Sequence, residues 1–314
     1  MSKQFITAIE NNDLKSLMLV PKSDLHNHST RGGNKIYIEN WAKTTIPEPD
    51  KFNSLDDMQK WYDTYIKPFC QGQIGFIKRI EAAFKQAVDD GITLLSMSFG
   101  TGDRFNFNGS MKEYIEAIEE VRLRIAPSIT FIPEICFMRT NDISYAEKEF
   151  DEVLSYNYFK SIDLVGDDSA SVDNYKNIYK KAKENNMILK AHVGEFGNAQ
   201  SIIKAVEVLN LDQVQHGINA VQSKDVMKEL AERKIQLNIC PSSNVLLSRT
   251  KDYNTHQIKE LFHAGVKVTI NSDDMLIFNQ SVSDDYLNLF KEGLFSAEEL
   301  DSIRKQGLSS FNIR

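Results

Sequence analysis

Histidines and aspartates fall where the sequence predicts strands to end. His26 and His28 lie two residues apart in Asp24–His28, and because side chains alternate along a strand, both imidazoles are expected on one face. The ends of later apolar segments carry the other members of this set, which are His192, His216 and Asp273–Asp274. Such a set could bind a metal ion or transfer protons.

Imidazole and carboxylate groups without thiolates are typical of a catalytic zinc site, in which one coordination position is left for water. Three histidines and one aspartate would hold one Zn²⁺ ion per chain. Zinc lowers the pKa of its bound water to about 7, which provides hydroxide at neutral pH. Iron, manganese and cobalt accept similar ligands, so the residue types favour zinc without fixing the metal.

Each of these residues also has an ordinary structural role. A single histidine in an apolar strand is more often a hydrogen-bonded core residue than a ligand, and an aspartate at a strand end usually caps the next helix. The joint placement favours a site, because four histidines and an aspartate pair would converge at one end of one barrel. The other two, His256 and His263, lie on a predicted helix from Asn254 to Ala264, where dipole and capping effects account for His263.

Short apolar segments rich in β-branched residues alternate with longer segments of helical periodicity, which is typical of parallel βαβ units in an α/β protein. We expect eight strands, the number that closes a (β/α)8 TIM-type barrel. The predicted strands are Asp24–Ser29, Thr93–Phe99, Thr130–Phe137, Ser161–Gly166, Ile188–Glu195, Gln213–Ile218, Gln236–Asn244 and Lys267–Asp274. The histidines and aspartates would then lie at the carboxyl ends of the strands, where active sites of such barrels form.

The connection between the first two predicted strands is long and rich in aromatic residues. Its spacing predicts helices over 55–70 and 73–88, and because it follows the first strand, we expect 34–90 to cover the C-terminal mouth of the barrel. Two roles, a gate over the substrate or packing onto the barrel, stay open for Trp61, Tyr62, Tyr65 and Phe69. No Pro- or Gly-rich linker interrupts the chain, so 1–314 is predicted to be one domain.

The charge balance disfavours several classes of partner. Lys and Arg total 37 against 44 Asp and Glu, and no basic run is long enough to follow a nucleic-acid backbone. No segment approaches the roughly 18 to 20 apolar residues of a membrane helix, and the first residues lack a signal-peptide core. We therefore expect a cytoplasmic protein that binds neither nucleic acid nor membrane and has no obligate protein partner. Cys70, Cys136 and Cys240 are widely spaced, which predicts neither a disulfide framework nor a thiolate zinc site.

Six segments resemble, in order and spacing, the motifs of the adenosine deaminases of the amidohydrolase superfamily. These segments are Leu25–His28, Ile162–Asp167, His192–Gly197, His216–Gly217, Ile239–Asn244 and Asn271–Asp274. The resemblance covers nearly the whole chain. Members of that family are metal-dependent (β/α)8 barrels, so the resemblance implies the same fold and the hydrolysis of adenosine to inosine and ammonia.

The resemblance also implies a role for each matching residue. The implied metal ligands are His26, His28, His192 and Asp273. Glu195 would protonate the purine N1, which is general acid catalysis worth typically about 10²- to 10⁴-fold, and His216 would orient the attacking hydroxide. Asp273 would also accept a proton from that hydroxide. Asp274 would bind N7, and the backbone N–H of Gly166 would donate to N3.

The sugar end of the expected site departs from the family pattern. His28 and Thr30 are further expected substrate contacts, but Thr30 replaces an acidic residue that meets the ribose 5′-hydroxyl, and Arg31 adds a cation. Met275 replaces a proline that commonly follows the paired aspartates. Lys190 lies two residues before His192, where either a modified metal-bridging lysine or a buried partner for an acidic residue would fit, and the second is favoured.

The sequence therefore predicts a metal-dependent hydrolase that deaminates adenosine, 2′-deoxyadenosine or a close 6-aminopurine relative. Thr30 and Arg31 motivate one alternative, a related deaminase of adenine or of a 5′- or N6-modified adenosine. A second alternative is a catalytically silent purine-binding barrel. The complete set of histidine, glutamate and aspartate residues argues against a silent homologue, which has no need of a proton donor beside a metal site.

Overall fold

The computed structural model describes residues 1–168 and 170–311, and within them eight parallel strands form one barrel in the order β1 to β8. The predicted domain 1–314 includes residue 169 and residues 312–314, which lie outside the described residues. The strands are β1 Lys22–His28, β2 Ile92–Gly100, β3 Thr130–Met138, β4 Ser161–Val165, β5 Ile188–Val193, β6 Gln213–His216, β7 Gln236–Ile239 and β8 Lys267–Ile270. The predicted (β/α)8 TIM barrel is thus confirmed.

Two segments predicted as strand have other conformations. The seventh strand ends at Ile239, and Pro241 begins a short helix, because the fixed φ of proline suits the first helical position and its missing N–H costs nothing there. The eighth strand ends at Ile270 rather than at Asp274. Asp273 lies beyond it in a turn and forms an isolated parallel bridge with Asn27 of β1, which joins the last strand to the first.

Helices precede, connect and follow the strands, and most of them pack around the outside of the barrel. They are α1 Ser2–Glu10, α2 Leu14–Met18, α3 Lys35–Ala42, α4 Leu55–Tyr65, α5 Gly72–Asp89, α6 Met111–Ile125, α7 Ile143–Ser155, α8 Lys176–Glu184, α9 Ala199–Leu209, α10 Lys224–Glu232, α11 Pro241–Leu246, α12 Ile258–His263, α13 Met275–Phe278, α14 Val282–Lys291 and α15 Ala297–Leu308. None of the helices in the described part of the chain has the length and apolar character needed to cross a membrane.

The helix predicted from Asn254 begins later than expected. Asp252 caps a single 3-10 turn, Tyr253–Thr255, and α12 starts only at Ile258. His256 therefore lies before the helix with extended backbone, and its Nδ1 accepts a hydrogen bond of 3.1 Å from the N–H of Ile258. His263 occupies the last turn of α12, as expected, where its Nε2 lies 2.8 Å from a carboxylate oxygen of Glu299.

Alternation along the strands separates an apolar outer layer from a polar interior. Val214 of β6 and Leu237 of β7 are fully buried in the core between barrel and helices. Their neighbours Gln215 and Asn238 point inward, where the Asn238 Nδ2 donates to Gln215 Oε1 at 2.8 Å. Interior polar groups must find partners inside the barrel, because no solvent reaches them there.

The segment between β1 and β2 packs in two different places. Ile38, Met58 and Tyr62 of α3 and α4 form an apolar cluster with Leu247 and Phe278, which follow β7 and β8. In contrast, α5 places Phe76, Ile80 and Phe84 in the main core against the barrel wall. Residues of α3 and α4 are thereby held above the carboxyl ends of the strands. That 34–90 acts as a lid stays a prediction.

Candidate active site

Three histidines converge at the carboxyl ends of β1 and β5. The Nε2 atoms of His26 and His192 lie 3.1 Å apart. One ring nitrogen each from His26, His28 and His192 fall within 4.8 Å of one another. His26 and His28 share one face of β1, as the alternation predicts, and His192 reaches the same point from across the barrel.

The outer nitrogens of His26 and His192 face oxygen atoms. The Nδ1 of His26 lies 3.2 Å from the carbonyl oxygen of Asn238, and the Nδ1 of His192 lies 3.0 Å from Oδ2 of Asp163. With the proton on Nδ1, the Nε2 of each ring carries a lone pair, and this arrangement is common around metal-bound histidines. Burial lowers the pKa of His26 and of His192 well below 6.5, so both rings are neutral, as metal ligands must be.

Asp273 completes this cluster from the turn after β8. Its N–H donates to the carbonyl oxygen of His26 at 2.9 Å, and its φ of 58° lies in the left-handed region. The Oδ1 of Asp273 is 3.3 Å from His28 Nε2 and 3.7 Å from His26 Nε2. Burial alone raises the pKa of this carboxyl, but His26 and His28 bring it well below its usual range. Asp273 is therefore an anion among the histidines.

His28 is the one ring of the three that holds a proton strongly. Burial lowers its pKa, but the contact with Asp273 and the charge of Asp274 outweigh burial and raise it to about 9. A divalent cation would have to displace this proton, because a histidine coordinates through a neutral ring.

His216 is turned toward the cluster by its backbone. Its φ of 62° is unusual for a residue with a side chain, and strain of this kind is concentrated at functional sites. Its Nε2 lies 3.6 Å from Glu195 Oε2 and 3.7 Å from Asp273 Oδ2, so the ring stands between the two carboxyl groups. Burial lowers its pKa to about 3, which keeps the ring neutral.

Glu195 lies just after β5 and is 6% exposed. The Nδ2 of Asn244 donates to Glu195 Oε1 at 3.2 Å. Burial raises the pKa of Glu195 well above 4.5, and the charges of Asp273 and Asp168 raise it further. A carboxyl group with such a pKa carries its proton at neutral pH and can act as a general acid.

A cavity of about 480 Å³ opens over these groups, within the range of small-molecule sites. Its lining includes His28, Thr30, Gly166, His192, Glu195 and Asp274. Gly166 has a φ of 103°, and a Cβ at this position would lie 3.3 Å from the Met138 Cε, so the lack of a side chain is required by the backbone. Every sequence-predicted site residue except His26 thus lines this cavity.

Arg31 pairs with one of the expected substrate contacts. Its Nη1 lies 3.3 Å from Asp274 Oδ2, and its Nη2 donates to Gln59 Oε1 of α4 at 2.6 Å. The guanidinium also stacks over the ring of Tyr62, 4.3 Å from its centroid. Arg31 therefore connects the helices above the mouth to the carboxylate expected at the purine N7, a contact that sequence reasoning did not find.

Lys190 lies beneath the cluster and pairs with an acidic residue. Its Nζ is 2.8 Å from Glu134 Oε2 and donates to Ser96 Oγ at 2.8 Å and to the carbonyl oxygen of Leu25 at 2.9 Å. These three contacts lie inside the barrel, where the Lys190 side chain is 0% exposed. These contacts agree with a buried partner for an acidic residue, the favoured alternative for this lysine.

Sequence reasoning did not identify the residues that contact the side chains of the histidines and of Glu195. Asp163 and Asn238 face the outer nitrogens of two histidines, and Asn244 binds Glu195. The position of Asp163 contained a usable signal, because an acidic residue inside an apolar strand needs a buried partner. No comparable signal marks Asn238 or Asn244, whose contacts join strands distant in sequence.

The donor set fits a divalent cation. With the proton of each ring on Nδ1, the neutral imidazoles of His26 and His192 direct Nε2 lone pairs at the same point. These two Nε2 atoms are only 3.1 Å apart, which is unfavourable unless a positive charge lies between them. An anionic carboxylate and a further imidazole surround the same point. Histidine nitrogen with carboxylate oxygen is a ligand combination that suits zinc.

Comparisons with known proteins agree with this geometry. The adenosine deaminase family profile matches residues 76–313. A protein of Treponema pallidum, provisionally named adenosine/adenine deaminase, is 30% identical over 289 residues, which cover 90% of this chain and 97% of that protein. The adenine deaminase of Zymomonas mobilis is 29% identical over 96% of this chain and 94% of its own length.

A solved structure gives the same fold. The adenine deaminase of Arthrobacter aurescens superposes with a TM-score of 0.81 at 21% identity, covering 94% of each chain. The matched profile, the relative from Treponema pallidum and the shared barrel point to the same conclusion. The chain belongs to the adenosine deaminase family and is a metal-dependent aminohydrolase.

Proposed function

We propose that this enzyme hydrolyses a 6-aminopurine nucleoside, adenosine or 2′-deoxyadenosine, to inosine or 2′-deoxyinosine and ammonia. One observation carries the proposal. A buried carboxyl group with a raised pKa, Glu195, stands beside His216, which lies 3.7 Å from Asp273 in the histidine cluster. A general acid and a hydrolytic centre thus share one cavity, as replacement of an aromatic amino group by water requires.

Zinc is the proposed cofactor, with His26, His28, His192 and Asp273 as its ligands. When bound, it would supply an activated water nucleophile at neutral pH. The second oxygen of Asp273 faces His216 rather than the other histidines, so one carboxylate can both bind the ion and accept a proton from the nucleophile.

Each residue of the site would then have its own role in the reaction. Protonated Glu195 donates its proton to N1, which draws electron density from C6 and makes that carbon electrophilic. His216 orients the nucleophile that adds to C6, and Asp273 takes up a proton for delivery to the leaving amine. The C6–N6 bond breaks, ammonia leaves and C6 becomes the carbonyl carbon of the product, while the second proton of the attacking water returns to Glu195 and restores the acid. The N–H of Gly166 and the carboxyl of Asp274 would position the ring at N3 and N7.

The cavity extends beyond the space needed for the base, which favours a nucleoside. Its lining continues from the histidines to Thr30, Met58, Gln59 and Asp103. Thr30 offers a hydroxyl and Asp103 a carboxylate, both suitable for sugar hydroxyl groups. Sequence reasoning did not identify Asp103, which follows β2.

Free adenine is a second candidate substrate. The observation that favours it is the position of Arg31, which occupies the region between Asp274 and α4 and is held there by Gln59 and Tyr62. A purified, zinc-loaded protein should be assayed for ammonia release from adenosine, 2′-deoxyadenosine and adenine, and for methylamine release from N6-methyladenosine. Highest kcat/KM on the two nucleosides supports the proposal, highest kcat/KM on adenine supports the second candidate, and no ammonia from any of them contradicts both.

A further inference from the structure

The segment Glu195–Gly197 carries the proposed general acid outside any regular element. It follows β5 and precedes α9, so no ladder or helix hydrogen bond fixes its peptide groups. The direction of the Glu195 side chain depends on this backbone. What holds the segment therefore decides where the carboxyl group lies.

Asp168 binds the N–H groups of this segment. Its Oδ2 accepts from the N–H of Glu195 at 2.9 Å and from that of Phe196 at 3.3 Å, and its Oδ1 accepts from the N–H of Gly197 at 2.6 Å. A side chain at position 197 would crowd this contact, because a Cβ there would lie 3.3 Å from Asp168 Oδ1. The Asp168 residue is 4% exposed, so solvent does not replace these bonds.

Asn219 binds the carbonyl groups of the same segment. Its Nδ2 donates to the oxygen of Glu195 at 3.1 Å and to that of Gly197 at 2.7 Å. Asp168 thus binds all three N–H groups of the segment, and Asn219 binds two of its three carbonyl groups. A carboxylate suits position 168, since both oxygens of Asp168 accept hydrogen bonds and three N–H groups point toward them.

Asp168 also belongs to the loop expected to contact the substrate. It lies two residues after Gly166, whose N–H is expected at the purine N3. Arg139 joins this loop to β5, because its Nη1 donates to the carbonyl oxygen of Ala170 at 2.8 Å and its Nη2 donates to that of His192. The loop that would hold one edge of the purine is therefore tied to the segment that would protonate N1.

We propose that Asp168 is a positioning residue for deamination, which holds the Glu195–Gly197 backbone so that the Glu195 carboxyl group faces N1 of a ring bound at Gly166. This inference rests on the proposed function. Asp168 does not line the cavity or belong to the histidine cluster, and its hydrogen bonds to the segment are made with peptide N–H groups.

The test compares Asp168→Asn with Asp168→Glu. Asparagine keeps the size of the side chain but has one acceptor oxygen, and its NH₂ group would face an N–H donor. We expect kcat of Asp168→Asn to fall about 100-fold, since a small displacement of a catalytic group has this effect. The KM and zinc content should stay near those of the parent protein, whereas the melting temperature should fall, because a buried N–H group loses its acceptor. Asp168→Glu keeps both acceptors and should recover part of the lost kcat.

A second measurement does not depend on activity. Hydrogen exchange of the 195–197 amides should be faster in Asp168→Asn than in the parent protein, because these N–H groups lose their acceptor. Asp173→Asn is the matched control, as Asp173 is an exposed acid in the same connection that pairs with Lys204. The Asp173→Asn substitution should leave kcat and the hydrogen exchange of the 195–197 amides unchanged.

Several outcomes would overturn the inference. Unchanged kcat in Asp168→Asn, or loss of zinc in proportion to lost activity, would show that Asp168 does not position Glu195. If Asp168→Asn does not fold, Asp168→Glu decides together with hydrogen exchange: a lowered kcat with full zinc content and faster exchange of the 195–197 amides supports the inference, and faster exchange with an unchanged kcat contradicts it. A parent protein that releases no ammonia overturns the proposed function instead, and the exchange measurement then tests the hold of Asp168 on the segment by itself.

Discussion

The guanidinium of Arg31 lies 3.3 Å from the carboxylate of Asp274, on a side chain that also reaches Gln59 of α4. The pair joins the end of β1 to the turn after β8 beneath the helices at the mouth. Burial raises the pKa of Asp274, and Arg31 opposes that rise. Arg31 thus fixes the position of the Asp274 carboxyl group, and burial favours the protonated form that a hydrogen bond to N7 requires.

Replacing Arg31 by Gln should destabilise the protein and weaken substrate binding. Removing one partner of a largely buried ion pair leaves the other uncompensated, which costs about 3 kcal/mol of unfolding free energy. Denaturant titration measures this change. Arg233→Gln is the matched control, because Arg233 pairs with Glu229 on the surface and an exposed pair contributes at most about 1 kcal/mol. Equal losses in the two variants would contradict the role given to Arg31.

Glu195→Gln should nearly abolish turnover without removing the metal. An amide has the shape of the acid but no proton to give at this pKa, so kcat should fall by about 10²- to 10⁴-fold. Metal analysis and single-turnover rates measure the two effects separately. Exposed Glu292 offers the same substitution as a control with unchanged kcat. Metal loss in Glu195→Gln would instead identify the residue as a ligand.

Activity should fall on the alkaline side as Glu195 loses its proton. Burial raises the pKa of this group well above 4.5, so the protonated and active form persists through neutral pH and is lost only as pH rises through the raised value. A pH profile of kcat/KM for the parent protein shows this descending limb. A profile that descends toward acid at neutral pH would assign Glu195 the opposite role of a base.

Removing the metal should abolish activity and lower the melting temperature. A ligand that binds only the folded protein stabilises it by RT ln(1 + [L]/Kd), about 4 kcal/mol at a thousandfold excess over Kd. Dialysis against a chelator, elemental analysis and readdition of zinc test this. His192→Asn should lose the metal, whereas His263→Asn, a surface histidine paired with Glu299, should keep it.

His256 should make the protein less stable in mild acid. Burial lowers its pKa to about 3, against 6.5 for an exposed ring, so below pH 6.5 the unfolded chain takes up a proton that the folded chain refuses. Stability should therefore rise with pH between about 3 and 6.5, and His256 alone accounts for about 2 kcal/mol between pH 7 and pH 5. Denaturant titrations at these two pH values measure the loss. His256→Asn keeps an acceptor for the N–H of Ile258 and should reduce the loss, and an unchanged loss would contradict this explanation.

Alternation along the strands was enough to predict part of this site. His26 and His28 share a face of β1 because they lie two residues apart in an extended chain, and Lys190 lies below His192 for the same reason. The barrel followed from eight apolar segments separated by helical ones.

Strand alternation does not predict the orientation of His216 and Asp273, the two site residues with side chains that have left-handed backbone. Since Gln215 points into the barrel, regular alternation would place His216 outside, and only its φ of 62° turns the ring toward Asp273. Asp273 likewise lies three residues past the end of β8, in a turn that no local pattern predicts. Their place at predicted strand ends made them candidates, but their roles depended on the resemblance, because a positive φ at a residue with a side chain is imposed by tertiary contacts.

The bridge between Asn27 and Asp273 has a consequence for biosynthesis. Ligands expected to share one ion come from the first strand and from the turn after the last, so a nascent chain still lacking residue 273 has no complete coordination sphere. Complete coordination of the metal would then follow the meeting of the two ends of the sheet. The fully coordinated ion would join the first strand to the turn after the last one only after the barrel has closed. Incompletely synthesised chains would lack this complete site.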